Sequence, residues 1–176
     1  ETRQERIESL LALRELHDRY GHIQEVIIQP FRPKPGTLMA DHIGADDDEL
    51  KWSIAVTRII FGPEMSVQAP PNLSPDTEIE LIAAGINDFG GVSPVTCDHV
   101  NPEAPWPQLA VLKNNTEQAS KLLVARLPIY PRYISADSGW VSPSIANALL
   151  RHVDASGLAR TDNWVPGELT EAPFGV

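Results

Sequence analysis

Two short runs of strand-forming residues alternate with helix-like segments in the first hundred residues, and this alternation limits the chain to few folds. The predicted strands are residues 24–29 (QEVIIQ) and 65–69 (MSVQA), and helical patterns precede, separate and follow them. Strands that alternate with helices in this way form parallel sheets through right-handed crossovers. The sequence therefore predicts an α/β fold whose first part is a parallel sheet or barrel.

The first two predicted helices have recognisable ends. The first begins at a capping box formed by Thr2 and Glu5 and stops at Gly21. The second begins in the acidic run 46–49 and stops at Gly62. We read the acidic run as carboxylates at the positive end of a helix, in preference to a metal site.

The third predicted helix starts at Ser74 as its cap, has Pro75 in its first turn and ends at Gly85. The short strand expected after it completes a third unit of the same form. Three polar loops then follow residue 29, residue 69 and Asp88. Because ligands lie at the carboxyl ends of parallel strands, we expect these loops to share one side of the fold.

Residues 103–176 have a different pattern. A rigid Pro-rich connector opens this part, and helices are predicted within 116–126 and from Ser142 to Gly157, followed by a loose tail at 160–176. We therefore predict two domains, 1–102 and 103–176, the second a mostly helical C-terminal extension.

The loop 85–102 (GINDFGGVSPVTCDHVNP) has the densest set of polar groups in the chain. Its glycine pair permits close approach of the backbone, and its hydroxyl, amide and carboxyl groups could hydrogen-bond a polar ligand. An ordinary surface loop would have the same composition. His99 is the best candidate functional histidine, against a surface hydrogen-bonding role, and a zinc site at Cys97 lacks a second soft ligand.

The loops after the two strands offer further candidates. Arg32 and Lys34 could hold a carboxylate or phosphate, or could be solvated cations. Gln29 and Gln68 end successive strands and could pair with the amide edge of a heterocycle, or bond the rim of a barrel.

Charge and composition exclude several classes of function. The formal net charge is −10 with no basic patch, so no nucleic-acid partner is expected. No apolar run approaches the ~20 residues of a membrane span, so no membrane partner is expected either. The single cysteine excludes an internal disulfide and agrees with a cytoplasmic location.

Three sequence words carry a family resemblance. HIQEVIIQPFRPKPGT (22–37), MSVQAPPNLS (65–74) and GINDFGGVSPVTCDHVNPEAPWP (85–107) together resemble the deazaflavin-forming radical S-adenosylmethionine (SAM) enzymes. The block 116–134 resembles the C-terminal extension of that family. The resemblance covers nearly the whole chain.

The resemblance implies a radical-SAM TIM-type (β/α) barrel and a particular chemistry. In the family a C-x-x-x-C-x-x-C loop binds a [4Fe-4S] cluster, and SAM binds its open iron. The enzyme converts a small-molecule substrate, an adduct of tyrosine and 5-amino-6-ribitylaminouracil, into the deazaflavin chromophore of coenzyme F420 with loss of ammonia. A second deazaflavin synthase subunit or module is the implied partner.

The sequence departs from the family pattern in one decisive respect. It has a single cysteine, so the cluster motif is absent. Glu1 and Thr2 resemble the end of the family segment that closes the fourth barrel strand. We therefore expect the chain to be the C-terminal half of the barrel plus the extension, with the cluster ligands elsewhere, and to be inactive alone. Pro30 and Cys97 replace the usual Asn and Pro of the family.

The resemblance also implies a set of ligand contacts, although individual roles do not follow from it. The residues expected near SAM are Glu1, Thr2, Gln29, Arg32, Gln68 and Asn72. The residues expected near the substrate are Asn87, Asp88, Ser93 and Thr96.

Two other hypotheses remain open at this stage. The chain could belong to another radical SAM enzyme, of the menaquinone-pathway or biotin-synthase type. It could also be a non-enzymatic half-barrel that binds a small ligand or a partner chain. A half-barrel exposes unpaired strand edges, so we expect the isolated chain to self-associate.

Overall fold

The computed structural model describes residues 1–93, 95–134 and 138–162. The chain forms two compact units, Glu1–Leu123 and Val124–Val176. The domain boundary predicted after residue 102 falls inside the first unit, because helix α4 (Leu109–Gln118) packs against helix α3 (Glu78–Ala84). Most of the predicted tail at 160–176 lies outside the described residues.

Helix α1 spans Arg3–Tyr20 and begins with the predicted capping box. The Thr2 side chain accepts a hydrogen bond from the Glu5 N–H, and the Glu5 carboxylate accepts one from the Thr2 N–H. Gly21 ends the helix in a left-handed conformation with φ +63°, which glycine adopts without the clash of a Cβ. The sequence prediction for this helix is confirmed.

Strands β1 (Glu25–Ile27) and β2 (Ser66–Gln68) form a parallel pair in which Val26 lies opposite Val67. Asp88 forms one further parallel bridge with Gln68. Both strands are shorter than predicted, since Pro30 and Pro70 have no N–H to continue the ladder. The α/β class and the parallel pairing are confirmed, whereas the described residues contain this small sheet and not a closed barrel.

Helix α2 (Asp47–Phe61) packs against α1 and α3, and the hydrogen bonds near the two ends of α2 indicate that the three helices run in the same direction. At the amino ends of α1 and α2, Arg3 Nη2 donates to Glu49 at 2.7 Å, and further along Arg14 Nη1 donates to the Ile60 carbonyl at 2.9 Å. Lys51 of α2 pairs in the same way with Glu80 of α3 at 2.8 Å. All three helices therefore begin on one side of the unit, the side at which the strands end.

The core of the first unit lies between the helices and one face of the sheet. Ile54, Val67 and Leu81 are fully buried there. The other buried apolar residues of this core are Leu10, Val26, Leu50, Phe61, Met65, Ala69 and Ile86. Side chains alternate between the faces of a strand, so Val26 points into this core and Ile27, 47% exposed, points away from it.

The predicted start of the third helix is wrong. Helix α3 begins at Glu78, not at Pro75, and its cap is Thr77, not Ser74. A short 3-10 helix, Pro71–Leu73, follows β2, and Asp76 then adopts a left-handed conformation with φ +62°. This turn separates the Ser-Pro signal from the helix.

Two later helices also differ from the prediction. Helix α4 ends at Gln118, not near residue 126, because Ser120 turns the chain with φ +57° and the Lys121 N–H returns to the Thr116 carbonyl. Helix α6 (Pro143–Leu149) starts where predicted but stops well before Gly157.

The second unit contains a short helix α5 (Pro131–Ile134) as well as α6. Tyr130, Tyr133 and Val153 are buried. Val153 and Ala159 form an antiparallel bridge, and the turn between them is closed by hydrogen bonds from the Ser156 and Leu158 N–H groups to the Asp154 carboxylate. This turn occupies the residues that the sequence assigned to the end of the last helix.

Candidate functional site

The loops that leave β1, β2 and Asp88 lie on the same side of the sheet, as the sequence predicts, and their side chains join them. Arg32, in the first loop, donates to the Leu73 carbonyl in the second at 2.7 Å. Its other terminal nitrogen donates to the Ala45 carbonyl at 3.2 Å, just before α2. Arg32 therefore donates from both terminal nitrogens to backbone carbonyls, and its contact with a ligand stays a prediction.

Lys34 joins the first loop to the third. Its ammonium donates to the Val100 carbonyl at 2.8 Å and to the Glu103 carboxylate at 2.7 Å. The hydrogen bond from Lys34 is the main reason that the pKa of Glu103 lies below its usual value. Lys34 is thus neither a fully solvated cation nor an unpaired charge facing a ligand.

Asn72 joins the second loop to the third. Its side-chain nitrogen donates to Asp98 Oδ2 at 2.9 Å and to the Ala104 carbonyl at 3.2 Å. The Asp98 carboxylate also accepts bonds from the Val100 N–H and from both the N–H and the side-chain amide of Asn101. The bonds from Asn101, then that from the Val100 N–H, lower the pKa of Asp98 far below its usual range, so the group is charged.

Two buried polar atoms near the end of β2 have no hydrogen-bond partner among the described residues. They are Oδ1 of Asn72 and Oγ of Ser74, in residues that are 4% and 3% exposed. A buried acceptor or donor without a partner costs about 1–3 kcal/mol. Such atoms are therefore candidates for pairing with a ligand or a bound water.

Gln68 lies at the carboxyl end of β2, is 8% exposed and has no hydrogen bond from its side-chain amide to another described residue. Its amide lies directly against Gly90, whose φ is +76°. A Cβ at position 90 would overlap the Gln68 side chain. The sequence predicts that the glycine pair lets the backbone approach another group closely. At Gly90 it does, and the group is the side chain of Gln68.

Asp88 pairs with the end of β2 through its backbone, and its carboxylate accepts a bond from the Gly90 N–H at 2.6 Å. The Asp88 carbonyl accepts from the Ala69 N–H at 3.3 Å. Asp88 therefore shapes the turn that brings Gly90 over Gln68.

Asn87, the neighbouring predicted substrate contact, is engaged with the protein itself. Its Oδ1 accepts from the Val67 N–H at 2.8 Å and from Arg58 at 2.9 Å, and its Nδ2 donates to the Met65 carbonyl at 3.3 Å. The side chain thus replaces a neighbouring strand along part of the β2 edge. No local sequence signal predicts this role, because the role depends on which backbone lies beside Asn87.

Among the described residues, the remaining predicted ones make no hydrogen bond to the side chain of Gln68 or Asn72. Thr2 caps α1, and the Glu1 carboxylate lies 3.4 Å from Nε of Arg6. Gln29 is exposed beyond the end of β1. The Thr96 hydroxyl donates to Ser93 Oγ at 2.7 Å within the third loop.

A metal centre finds no support in the described part of the chain. No group of three or more His, Cys, Asp or Glu side chains there could hold a metal ion. Cys97 is exposed, and its sulfur lies 3.9 Å from Nδ1 of His99. Nor does any helix in this part have the length and apolar content to cross a bilayer.

The roles of Asp98 and Lys34, like that of Asn87, are not among those predicted from the sequence. The spacing Asp98-x-x-Asn101 is a signal for Asp98, because an aspartate at the start of a turn commonly accepts the N–H groups two and three residues later. No comparable local signal exists for Lys34, whose partners lie 66 and 69 residues away.

Comparison with known proteins gives close relatives over nearly the whole chain. It is 49% identical over 164 residues to an FO synthase of Nocardia farcinica, a match that covers 92% of this chain and 19% of the relative. It is 47% identical over 160 residues to a 7,8-didemethyl-8-hydroxy-5-deazariboflavin synthase of Methanopyrus kandleri, covering 91% and 47%. An FO synthase of Mycobacterium tuberculosis is 45% identical over 167 residues, covering 94% and 20%.

The chain therefore spans between about a fifth and about half of the length of these curated relatives. No protein-family profile matches the chain, and no solved structure matches it.

Proposed function

Because the chain is homologous over more than nine-tenths of its length to one segment of FO synthase, we propose that it contributes the substrate-side part of a deazaflavin-forming radical SAM enzyme. The proposed reaction joins the tyrosine and 5-amino-6-ribitylaminouracil parts of an adduct into a deazaflavin with loss of ammonia. That product is the chromophore of coenzyme F420. The role of this chain is to bind and orient ligands at the carboxyl ends of its strands.

The observation that carries the proposal is the convergence of three loops on one side of the sheet. Gln68 and Asn72 lie where those loops meet, are nearly buried, and have polar atoms without partners among the described residues. Ligands of parallel α/β folds bind at this end of the strands. The carboxylate, amine and hydroxyl groups of SAM and of a ribityl uracil are suitable partners for such amides.

A (β/α) barrel is the fold proposed for the whole enzyme, and two surfaces of this chain support it. Ile27 is 47% exposed on the sheet face that a barrel would enclose. On α1, Leu13, Leu16 and Tyr20 follow helical spacing and are 38%, 45% and 55% exposed. Further strands and helices of a barrel would cover both the sheet face at Ile27 and this apolar side of α1.

The [4Fe-4S] cluster does not fit on the described residues. A radical SAM cluster needs three thiolates, and this chain has one cysteine, which is exposed. SAM fits better, since Oδ1 of Asn72 and the side-chain amide of Gln68 have no hydrogen-bond partner among the described residues and could hold it. Arg32 and Asn87, in contrast, already make hydrogen bonds to the protein.

The finer assignments rest on the resemblance, on the single cysteine and on the change of sequence pattern after residue 102. They are a lyase reaction, a cytoplasmic enzyme, a second synthase subunit or module as partner, inactivity of this chain by itself, and an organisation into residues 1–102 and an extension 103–176.

The experiment uses the natural protein that contains this sequence, at the length its gene encodes. It is reconstituted anaerobically with iron and sulfide and incubated with SAM, a reductant and the tyrosine–ribitylaminouracil adduct. We expect deazaflavin fluorescence together with cleavage of SAM. Cleavage of SAM without deazaflavin would favour another radical SAM reaction, and binding of either ligand without any turnover would favour a non-enzymatic module.

A further inference from the structure

We propose that Asp98 is a positioning residue that holds the side-chain amide of Asn72 with its oxygen turned toward an N–H or O–H donor of a bound ligand. The inference rests on the proposed function and adds to it a residue and a stated ligand chemistry. It starts from the hydrogen bonds of a single buried amide.

The partners of Asn72 fix which way its amide faces. The two groups near its nitrogen are the Asp98 carboxylate at 2.9 Å and the Ala104 carbonyl at 3.2 Å. Both can only accept hydrogen bonds, since a carbonyl has no proton and the carboxylate is ionised. A flipped amide would set its oxygen against two acceptors. The orientation with Nδ2 toward Asp98 is therefore the favourable one.

This orientation leaves Oδ1 without a partner in a residue that is 4% exposed. An acceptor in that environment requires a donor from outside the described residues. Ser74 Oγ, two residues along the chain, is buried and unpaired as well. Two unpaired polar atoms within the three residues 72–74, in the loop after β2, indicate a site for a polar group and not a packing defect.

The backbone around Asn72 is held from both sides, which gives the amide a fixed position. Arg32 binds the carbonyl of Leu73 at 2.7 Å, and Asp98 is itself held by the N–H groups of Val100 and Asn101. The amide therefore bridges two loops that are each anchored independently. Preorganised polar groups of this kind bind a ligand without a further loss of side-chain entropy.

The ligand group must be a hydrogen-bond donor, and two sources have that chemistry. SAM carries amine and hydroxyl donors, and the ribityl uracil adduct carries hydroxyl and N–H donors. The kinetic constants for the two substrates distinguish these sources, because only the one that reaches Asn72 should bind more weakly when the amide is turned.

The principal test is Asp98→Asn in the natural full-length enzyme. The new side chain keeps an oxygen for the turn but presents an NH₂ group to the Nδ2 of Asn72, so the Asn72 amide should flip and offer a donor in place of an acceptor. We expect KM for one of the two substrates to rise about tenfold, the equivalent of one hydrogen bond, with kcat changed less than threefold.

A second variant protects the test against misfolding. Asp98→Ser keeps a hydroxyl acceptor for the N–H groups of the turn but is too short to reach Asn72. KM for the same substrate should rise by a smaller factor, because the Ala104 carbonyl still favours the original orientation.

Lys34→Met is the matched control. It removes the link between the first and third loops, which ends on Val100 and Glu103, and leaves the Asn72 amide, which links the second loop to the third, untouched. It should lower the melting temperature without a KM change confined to one substrate.

The outcomes separate this inference from the proposed function. Thermal unfolding curves first establish that both Asp98 variants are folded. If the wild-type enzyme forms deazaflavin and both variants keep wild-type KM values for SAM and for the adduct, the positioning role is wrong. An equal effect from Lys34→Met would also contradict it, since loosening of the loops would then explain the data. If the wild-type enzyme forms no deazaflavin, the proposed function fails first.

Discussion

The side-chain amide of Gln68 lies against Gly90, at a distance that leaves no room for a Cβ on residue 90. Gly90 itself has φ +76°, and the Asp88 carboxylate holds its N–H at 2.6 Å. The turn after the Asp88 bridge therefore covers the end of β2 and fixes the position of an amide that has no hydrogen bond to another described residue.

Replacing Gly90 with alanine should damage both the fold and the site. The left-handed conformation and the overlap with Gln68 predict a loss of about 1–3 kcal/mol in the free energy of unfolding. Ligand affinity should fall as the Gln68 amide is displaced. Urea unfolding and KM measurements on the full-length enzyme test this.

Gly91→Ala is the control for that experiment. Gly91 is not among the residues with positive φ, and nothing lies within 4 Å of a Cβ built there. Its stability and KM values should stay close to wild type, and equal damage from the two alanines would mean that the Gln68 contact is not the cause.

Replacing Asn87 with alanine should destabilise the first unit without weakening substrate binding. The change removes the acceptor for the N–H of Val67, a fully buried residue, and an unpaired buried N–H costs about 1–3 kcal/mol. Asn87→Asp should cost less because it keeps an acceptor for Val67 and Arg58. A rise in KM for folded Asn87→Ala would instead support the substrate contact predicted from the sequence.

Two isoleucines of α2 provide a test of where the core lies. Ile54 is fully buried, so Ile54→Ala should lower the free energy of unfolding by about 2–5 kcal/mol. Ile59 is 80% exposed, so Ile59→Ala should change it by less than about 0.5 kcal/mol. Similar urea midpoints for the two variants would contradict the orientation of this helix.

The contribution of Asp98 to stability should depend on pH in the acid range. Its pKa in the folded protein is lowered from the ordinary value of 3.8, chiefly by the hydrogen bonds from Asn101. The unfolded chain therefore binds the proton more readily, so the stabilisation is complete well above pH 3.8 and is lost as the pH falls below it. The difference in urea midpoint between wild type and Asp98→Asn should shrink from pH 6 to pH 3, and a constant difference would be inconsistent with the lowered pKa.

Local sequence signals predicted those parts of the fold that depend on a few neighbouring residues. The capping box at Thr2 and Glu5 sets the start of α1 by hydrogen bonds three residues apart. The acidic start of α2 is confirmed for the same reason, since the Asp46 side chain caps the Glu49 N–H. The Ser-Pro signal at residue 74 failed because the left-handed Asp76 comes between it and α3, which begins at Glu78.

The parallel order of the strands was predictable, and with it the common side of the three loops. The contacts among those loops were not. Arg32 and Leu73 are 41 residues apart, and Asn72 and Asp98 are 26 apart, so their pairing depends on the finished fold. The same holds for Asn87, whose amide completes the edge of β2 only once that strand lies beside it.

The most direct test of the account is a crystal structure of the natural full-length protein with S-adenosylhomocysteine and the tyrosine–ribitylaminouracil adduct bound. The account predicts ligand atoms at the carboxyl ends of β1 and β2, with a donor within hydrogen-bonding distance of Asn72 Oδ1 and the amide of Gln68 in contact with ligand. A structure in which both ligands lie at the amino ends of the strands, or away from the loops after residues 29, 69 and 88, would contradict the account.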